Sequence, residues 1–327
     1  MRAAVLGSPI AHSLSPALHR AAYAALGRNW SYTAIECDEA GLPAMLARVR
    51  AEPGWAGLSL TMPLKIAAVG LLDEVDELAG ILGAVNTVVV RVESGGTRLV
   101  GFNTDVDGIA YAVDEVLAAP RTSGAGARAG DLGGAGGDPG DLGGAGAGDP
   151  GGAGAGDSGS AFDSAPPAQA VVLGAGGTAR AAIAALARRK IPAVDVIARR
   201  PAAGAPLVAL GAVLKTAVTV RPWGPDPDWI RGLVGQCDLV VATTPAGATD
   251  ALASRSWPAG CALVDLLYHP WPTRLAAAAA AAGVPVAGGL TVLAAQAVRQ
   301  VRLFTGGGEV GVDVLRAAGE AALADRA

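Results

Sequence analysis

The sequence predicts an α/β fold in two parts, and three observations carry that expectation. Short apolar runs alternate with helical patterns from residue 2 to residue 118. A second alternation begins at Val171 with a strand, a glycine turn and an alanine-rich helical pattern. Between the two, the composition collapses into glycine. At 327 residues, 51% of them hydrophobic and 17% charged, the chain has material for two domains and their cores.

In the first part, Arg2 to Leu6 reads as a strand leading into Gly7-Ser8-Pro9-Ile10-Ala11-His12-Ser13-Leu14-Ser15-Pro16. Ser15 before Pro16 reads as a serine cap with proline at the first helical position, and Ala17, Leu18, Ala21 and Ala22 continue the helix. Ser13 and Ser15 then sit where the helix dipole favours a carboxylate or a hydroxylated ligand. Trp30 to Ile35 reads as a strand, Ala40 to Arg50 as a helix and Gly57 to Leu60 as a third strand, which together imply a parallel sheet. The third strand ends in Thr61-Met62-Pro63-Leu64-Lys65, so Lys65 lies where α/β sheets place their ligands. Only three of the 25 Lys and Arg residues are lysines. A lysine in such a chain suits a task closed to arginine: its amine can lose and regain a proton when partly buried.

Asp73 to Leu82 reads as a helix, followed by Gly83-Ala84-Val85-Asn86-Thr87 and a strand over Val88 to Val92. Glycines 95 and 96 make a hairpin turn towards Arg98 to Val100, and Gly101-Phe102-Asn103-Thr104-Asp105-Val106-Asp107-Gly108 then opens a helix continuing over 109–118. Asn86 and Asp105 thus join Thr61 and Lys65 at element ends of one compact unit. From Ser123 to Ser160 there are 17 glycines in 38 residues, with Gly-Asp-Leu-Gly-Gly-Ala-Gly at 130–136 and again at 140–146. Such a segment buries too little apolar surface to offset its ordering entropy, and is expected to be a disordered insertion.

In the second part, Val171-Val172-Leu173 runs into Gly174-Ala175-Gly176-Gly177-Thr178-Ala179 and a helical pattern. Gly174 suits a tight turn, Gly176 lets backbone approach a pyrophosphate, and Ala179 takes the close-packing place. The next strand, Ala193 to Ala198, ends in Arg199-Arg200, where an NAD site would want an acidic residue for the ribose hydroxyl. Two guanidiniums match a 2′-phosphate instead, so the expected cofactor is NADP. Strands at Leu239 to Thr243 and Ala262 to Leu267 place Thr243, Thr244, Pro245 and Leu266 on the carboxyl side of the sheet, where a dinucleotide lies. Thr273 to Ala282 reads as a helix, Val284 to Val286 as a short strand, Gly288-Gly289 as the start of a helix carrying Gln296, and Asp313 to Ala324 as a last helix.

A net charge of −4 supplies no basic field for nucleic acid or an anionic membrane, and no run of 18 apolar residues appears. Small molecules are the expected partners, and a monomer or homodimer the expected assembly. Cys37, Cys237 and Cys261 have neither disulfide-framework nor zinc-ligand spacing, and Met1 to Gly7 reads as a strand and not as a signal peptide, so a cytoplasmic location is expected.

Six blocks in order resemble the shikimate dehydrogenase family, over the whole chain apart from roughly 121–167. They are 7–16, 61–65, 83–87, 103–105, 174–179, and Gly289 with Gln296. The resemblance implies NADPH-dependent reduction of 3-dehydroshikimate to shikimate, in the chorismate route to aromatic amino acids. It implies that Ser13, Ser15, Thr61, Asn86, Asp105, Tyr268 and Gln296 hold the substrate's carboxylate and hydroxyls, that Lys65 and Asp105 form the catalytic pair, and that Gly289 belongs with the cofactor set. It implies a substrate-binding domain of residues 1–108 and 288–327, with C-terminal helices returning to it, and a Rossmann-like doubly wound NADP-binding domain of residues 109–287. Ser59 stands where the family commonly has asparagine, Ala198-Arg199-Arg200-Pro201 replaces an Asn-Arg-Thr motif, and Val292 replaces a usual methionine. The rival readings are an NAD-dependent quinate/shikimate dehydrogenase and a catalytically silent shikimate-binding regulator.

Overall fold

The computed structural model describes residues 1–119, 167–224, 228–253, 257–258 and 260–326. The expected glycine-rich insertion lies outside the described residues, apart from Pro167.

The first sheet is built from β1 (Arg2–Gly7), β2 (Ser31–Glu36), β3 (Trp55–Leu60), β4 (Glu74–Val75), β5 (Thr87–Glu93) and β6 (Gly96–Phe102), in the order β2-β1-β3-β5-β6-β4. Between and after them lie α1 (Ser15–Ala25), α2 (Leu42–Ala51), α3 (Leu64–Ala67), α4 (Glu77–Leu82) and α5 (Asp105–Ala118). β1 pairs in parallel with β2 and β3, but β5 runs antiparallel to both β3 and β6. The first three strands are parallel as expected, and the hairpin expected at Gly95 and Gly96 adds the antiparallel pairings, so the sheet as a whole is mixed. The two residues Ser94 and Gly95 that join β5 to β6 can form a hairpin and are far too few for a crossover.

Two local expectations also change. Residues 73–82 do not form one helix: Glu74 and Val75 pair with Val100 and Gly101, and Asp76 caps α4 by accepting from Leu78 N at 3.2 Å. Ser15 is not the cap of α1 but its first residue: Leu14 holds the cap position without a side-chain hydrogen bond, and Ser13 Oγ accepts from Ser15 N at 3.3 Å.

The second sheet contains β7 (Gln169–Leu173), β8 (Ala193–Ala198), β9 (Ala217–Pro222), β10 (Leu239–Ala242), β11 (Ala262–Asp265) and β12 (Val286–Gly288), ordered β12-β11-β10-β7-β8-β9. All its pairings are parallel. Helices α6 (Gly177–Arg188), α7 (Ala205–Val213), α8 (Asp228–Val234) and α9 (Arg274–Ala281) connect it, which makes it the doubly wound sheet expected. β9, α7 and α8 were not anticipated from the sequence. β9 is an edge strand with an intermediate-to-exposed pattern, so it lacks a strong apolar signature.

α10 (Gly289–Thr305) and α11 (Val312–Ala324) return to the first unit. Val301, Phe304 and Leu315 share a buried cluster with Leu14, Leu18, Tyr23 and Tyr32. α5 runs across residue 108, the expected domain boundary, and its Val106, Ile109 and Val113 pack in one core with Ala182, Ile183 and Val264. No described helix is long and apolar enough to cross a membrane.

Candidate active site

The carboxyl ends of the first sheet meet α5 and α10 around a cavity of about 210 Å³. Ser13, Ser15, Thr61, Lys65, Asp105, Tyr268 and Gln296 all line it. Thr61 follows β3, Lys65 lies in the single turn of α3, and Asp105 is the first residue of α5. A close helix contact brings in the last partner. Any Cβ on Gly108, one turn beyond Asp105, would lie 2.5 Å from Val292 O and 2.9 Å from Gln296 Cβ, so glycine is what allows α10 to approach α5 here. A larger, more open depression of about 470 Å³ lies over β2 and α2, with Cys37, Met45 and Arg48 in its wall. None of the converging groups above reaches it.

Lys65 Nζ donates to Asp105 Oδ2 at 2.5 Å, with only 15% and 7% of the two side chains exposed. So little water around an ion pair strengthens its attraction and leaves the remaining ammonium hydrogens available to a ligand. Asp105 is held from behind. Asn86 Nδ2 donates to Asp105 Oδ1 at 2.7 Å, and Asp105 N donates to Asn103 Oδ1, whose own amide is anchored on Ala84 O. Asn86 is itself 1% exposed and sits behind the cavity wall, where Nδ2 also donates to Gln296 Oε1 at 2.7 Å. Its place is thus that of a brace for two lining residues. Because the Gln296 oxygen is occupied from behind, its amide nitrogen is the end left to a ligand.

Tyr268 lies in the segment that follows β11. Burial pushes its phenol up, against a lesser downward pull from the Arg326 guanidinium, so it presents a hydrogen-bond donor. Asp265, at the end of β11, was missed from the sequence. It accepts from Thr273 Oγ1 at 2.6 Å and from Leu267 N at 3.2 Å, and thereby ties down the segment carrying Leu266 and Tyr268. Burial pushes its carboxyl up, opposed by those two hydrogen bonds. The only sequence signal was an aspartate ending a strand, which commonly does no more than cap backbone.

On the other side, Gly174 adopts φ +108, and a Cβ there would lie 2.5 Å from Thr243 Oγ1. Glycine suits that turn on both counts. α6 begins at Gly177 with no side-chain cap on its first amides, and nothing stands within 4 Å of where a Gly176 Cβ would be. The unpaired amides, the dipole and the open space fit a diphosphate. A Gly177 Cβ would fall 3.7 Å from Lys65 Cβ, so this turn borders the cavity. Ala175, Gly177 and Thr178 are part-exposed in the same turn, and Ala179 is fully buried against the sheet. Arg199 and Arg200, just past β8, are exposed, and among the described residues neither forms an ion pair. Thr243 and Thr244 are part-exposed and Pro245 exposed after β10, while Leu266 is part-exposed after β11. Gly289 differs: it is buried, and a Cβ would lie 2.1 Å from Leu266 O, so its task is packing the start of α10 against that strand end. Together these groups fit a phosphorylated dinucleotide.

Comparison with known proteins gives the chain its relatives. Residues 5–88 match the family model for the shikimate dehydrogenase substrate binding domain. The chain is 35% identical over 310 residues to the shikimate dehydrogenase (NADP(+)) of Citrifermentans bemidjiense, covering 93% of this chain and 89% of that one. Among solved structures, Mycobacterium tuberculosis shikimate dehydrogenase superposes with a TM-score of 0.71 at 33% identity, covering 98% and 99% of the two chains. Shikimate 5-dehydrogenase from Thermus thermophilus, in complex with NADP(H) and shikimate, gives 0.69 at 31% identity with the same coverage. With relatives this similar along nearly its full length, and a matching pair of sheets around one polar cavity, the chain belongs to the shikimate dehydrogenase family.

Proposed function

We propose that the protein catalyses the reversible NADPH-dependent reduction of 3-dehydroshikimate to shikimate, and that the Lys65–Asp105 pair beside the glycine turn is its catalytic centre. The observation that carries this reading is their 2.5 Å contact at the wall of a cavity bordered by Gly177. The turn at Gly174 to Ala179, with Arg199 and Arg200 for a 2′-phosphate and Thr243, Thr244, Pro245 and Leu266 along the sheet edge, would hold NADP(H). Bound there, the cofactor supplies or accepts the hydride.

The chain's own residues do the rest. Ser13 and Ser15 offer hydroxyls at the start of α1, where the dipole favours the substrate carboxylate. Thr61, Tyr268 and the free amide end of Gln296 are placed for the ring hydroxyls. Lys65 donates the proton to the carbonyl oxygen as the carbon is reduced, and takes it back in the reverse direction. Asp105 keeps the Lys65 amine aimed at the cavity and accepts from the neighbouring substrate hydroxyl. Asn86 braces Asp105 and Gln296 from behind the wall.

General acid-base help of this kind is worth about 100-fold to 10,000-fold, so Lys65→Ala lowers kcat by that order while shikimate binding persists. Near-normal turnover in Lys65→Ala removes the assignment. NAD is disfavoured as cofactor because two exposed guanidiniums stand at the end of β8 in place of a carboxylate. A chain of net charge −4 with this site works on small molecules and not on nucleic acid or a membrane surface, and cytoplasmic work follows from the same reading.

A further inference from the structure

A single backbone amide sets the direction of the hydrogen bonds behind the cavity. Thr104 N–H can only donate, and it lies 2.8 Å from Asn86 Oδ1. This fixes the Asn86 amide, with its oxygen accepting and its nitrogen donating to Asp105 and Gln296. The same oxygen also accepts from Thr87 Oγ1 at 2.8 Å. With its one proton committed, Thr87 Oγ1 accepts from Gln300 Nε2 at 2.9 Å, and Gln300 Nε2 also reaches Asn86 O at 3.3 Å. The Gln300 oxygen therefore faces Ser59, whose Oγ donates to it at 2.9 Å. Tyr32 completes the chain by donating to Ser59 Oγ at 2.6 Å.

Tyr32 is fixed in turn. His19 stacks on it at 4.0 Å between ring centroids, and donates from Nδ1 to Ser15 O, since a carbonyl can only accept. Burial pushes the Tyr32 phenol far up, so it remains a donor.

The consequence falls on Ser59, which lines the cavity although it is only 4% exposed. Its proton is held by Gln300 and one lone pair is used by Tyr32, so what remains for a ligand is one lone pair. A substrate hydroxyl can donate to it, whereas a carbonyl or carboxylate meets an acceptor with nothing to give. We propose that Gln300 is a positioning residue which, by holding the Ser59 proton, makes Ser59 an acceptor-only contact that selects a donating hydroxyl on the substrate. This inference rests on the reading of the cavity as the shikimate site. It assigns Gln300, 2% exposed and on α10 one turn beyond Gln296, a role that acts through Ser59.

A double-mutant cycle on the full chain tests it, using wild type, Ser59→Ala, Gln300→Met and the double variant with shikimate and NADP. Each single substitution removes or misdirects the one hydrogen bond that Ser59 offers the substrate and is expected to raise KM for shikimate about 5-fold to 10-fold. Because Lys65 and Asp105 stay braced through Asn86, kcat is expected to stay within about 3-fold, and the double variant to be no worse than Ser59→Ala alone. Multiplying effects, a loss carried by kcat, or an unchanged KM in Gln300→Met overturns the proposal. Should Gln300→Met not fold, Gln300→Glu keeps an acceptor opposite Ser59, and its KM rise must be clearly smaller than that of Ser59→Ala. An equal or larger rise overturns the proposal too. If wild type does not turn over shikimate, the functional reading fails by itself. The same cycle then runs on the calorimetric Kd for shikimate, with the same outcomes deciding.

Discussion

On the substrate side of the cleft, Lys65, Asp105, Asn86 and Gln296 hold one another through contacts of 2.5 to 2.7 Å, so each polar atom has its orientation set before any ligand arrives. The cofactor side is made the other way. Gly176 opens on empty space, α6 starts without a side-chain cap, and Arg199 and Arg200 are exposed just past the end of their strand. The first side suits a reaction that needs groups held in one geometry with no reorganisation at the moment of proton transfer. The second suits a charged ligand that brings its own phosphates to unpaired amides and guanidiniums. Substitutions in the Lys65, Asp105 and Asn86 brace are therefore expected to strike turnover, and those on the cofactor side to strike cofactor affinity.

The largest effect that sharpens this contrast is expected from Asn86→Asp. The carboxylate keeps the shape but cannot donate, and it faces Asp105 where a 2.7 Å hydrogen bond stood. A fall in kcat/KM of about 100-fold is expected, read by steady-state kinetics, since both the brace and its charge complement are lost. Removing both guanidiniums with Arg199→Ala and Arg200→Ala should lower kcat/KM for NADP about 10-fold to 100-fold and leave the NAD value nearly unchanged. An equal loss for both cofactors would break the distinction drawn between the two sides.

A smaller effect concerns stability. Burial pushes His19 down to about 4 from the usual 6.5, while its contacts with Ser15 and Gln300 only partly oppose this. The unfolded chain takes up the proton near 6.5 and the folded chain not until about 4, so stability falls as pH drops through that window. The span corresponds to about 3 kcal/mol, and urea midpoints should show a shallower acid loss in His19→Asn than in wild type. The smallest effect is expected from deleting 123–160, which should leave kcat/KM within about a few-fold, because a segment with 17 glycines in 38 residues carries few side chains that the chemistry could use.

Much of this was legible in the chain. Lys65 and Asp105 could be found because each follows a strand end and because lysine is scarce; the glycine turn and the two arginines carry their chemistry in their spacing. The parallel run of the first three strands and the hairpin at Ser94-Gly95 were both legible, the one from strand and helix alternation and the other from its glycines, but that β5 sits beside β3 was not. Ser15 was misplaced because a serine before a proline reads as a cap by type, whereas the helix takes Ser15 as its first residue and leaves the cap position to Leu14. What could not be read was pairing at long range. Gln300 meets Thr87 across 213 positions, and Gly108 looks like an ordinary turn former until α10 is packed on it. Residue type and spacing show which groups can serve, and only the packed helices show which of them meet.

The most direct test is the rate of nicotinamide reduction by the wild-type protein with shikimate, compared between NADP and NAD as kcat/KM. Turnover with a clear preference for NADP is the result expected from the braced Lys65–Asp105 pair and the open arginines. No turnover with either cofactor although shikimate binds, or a preference for NAD, would contradict it.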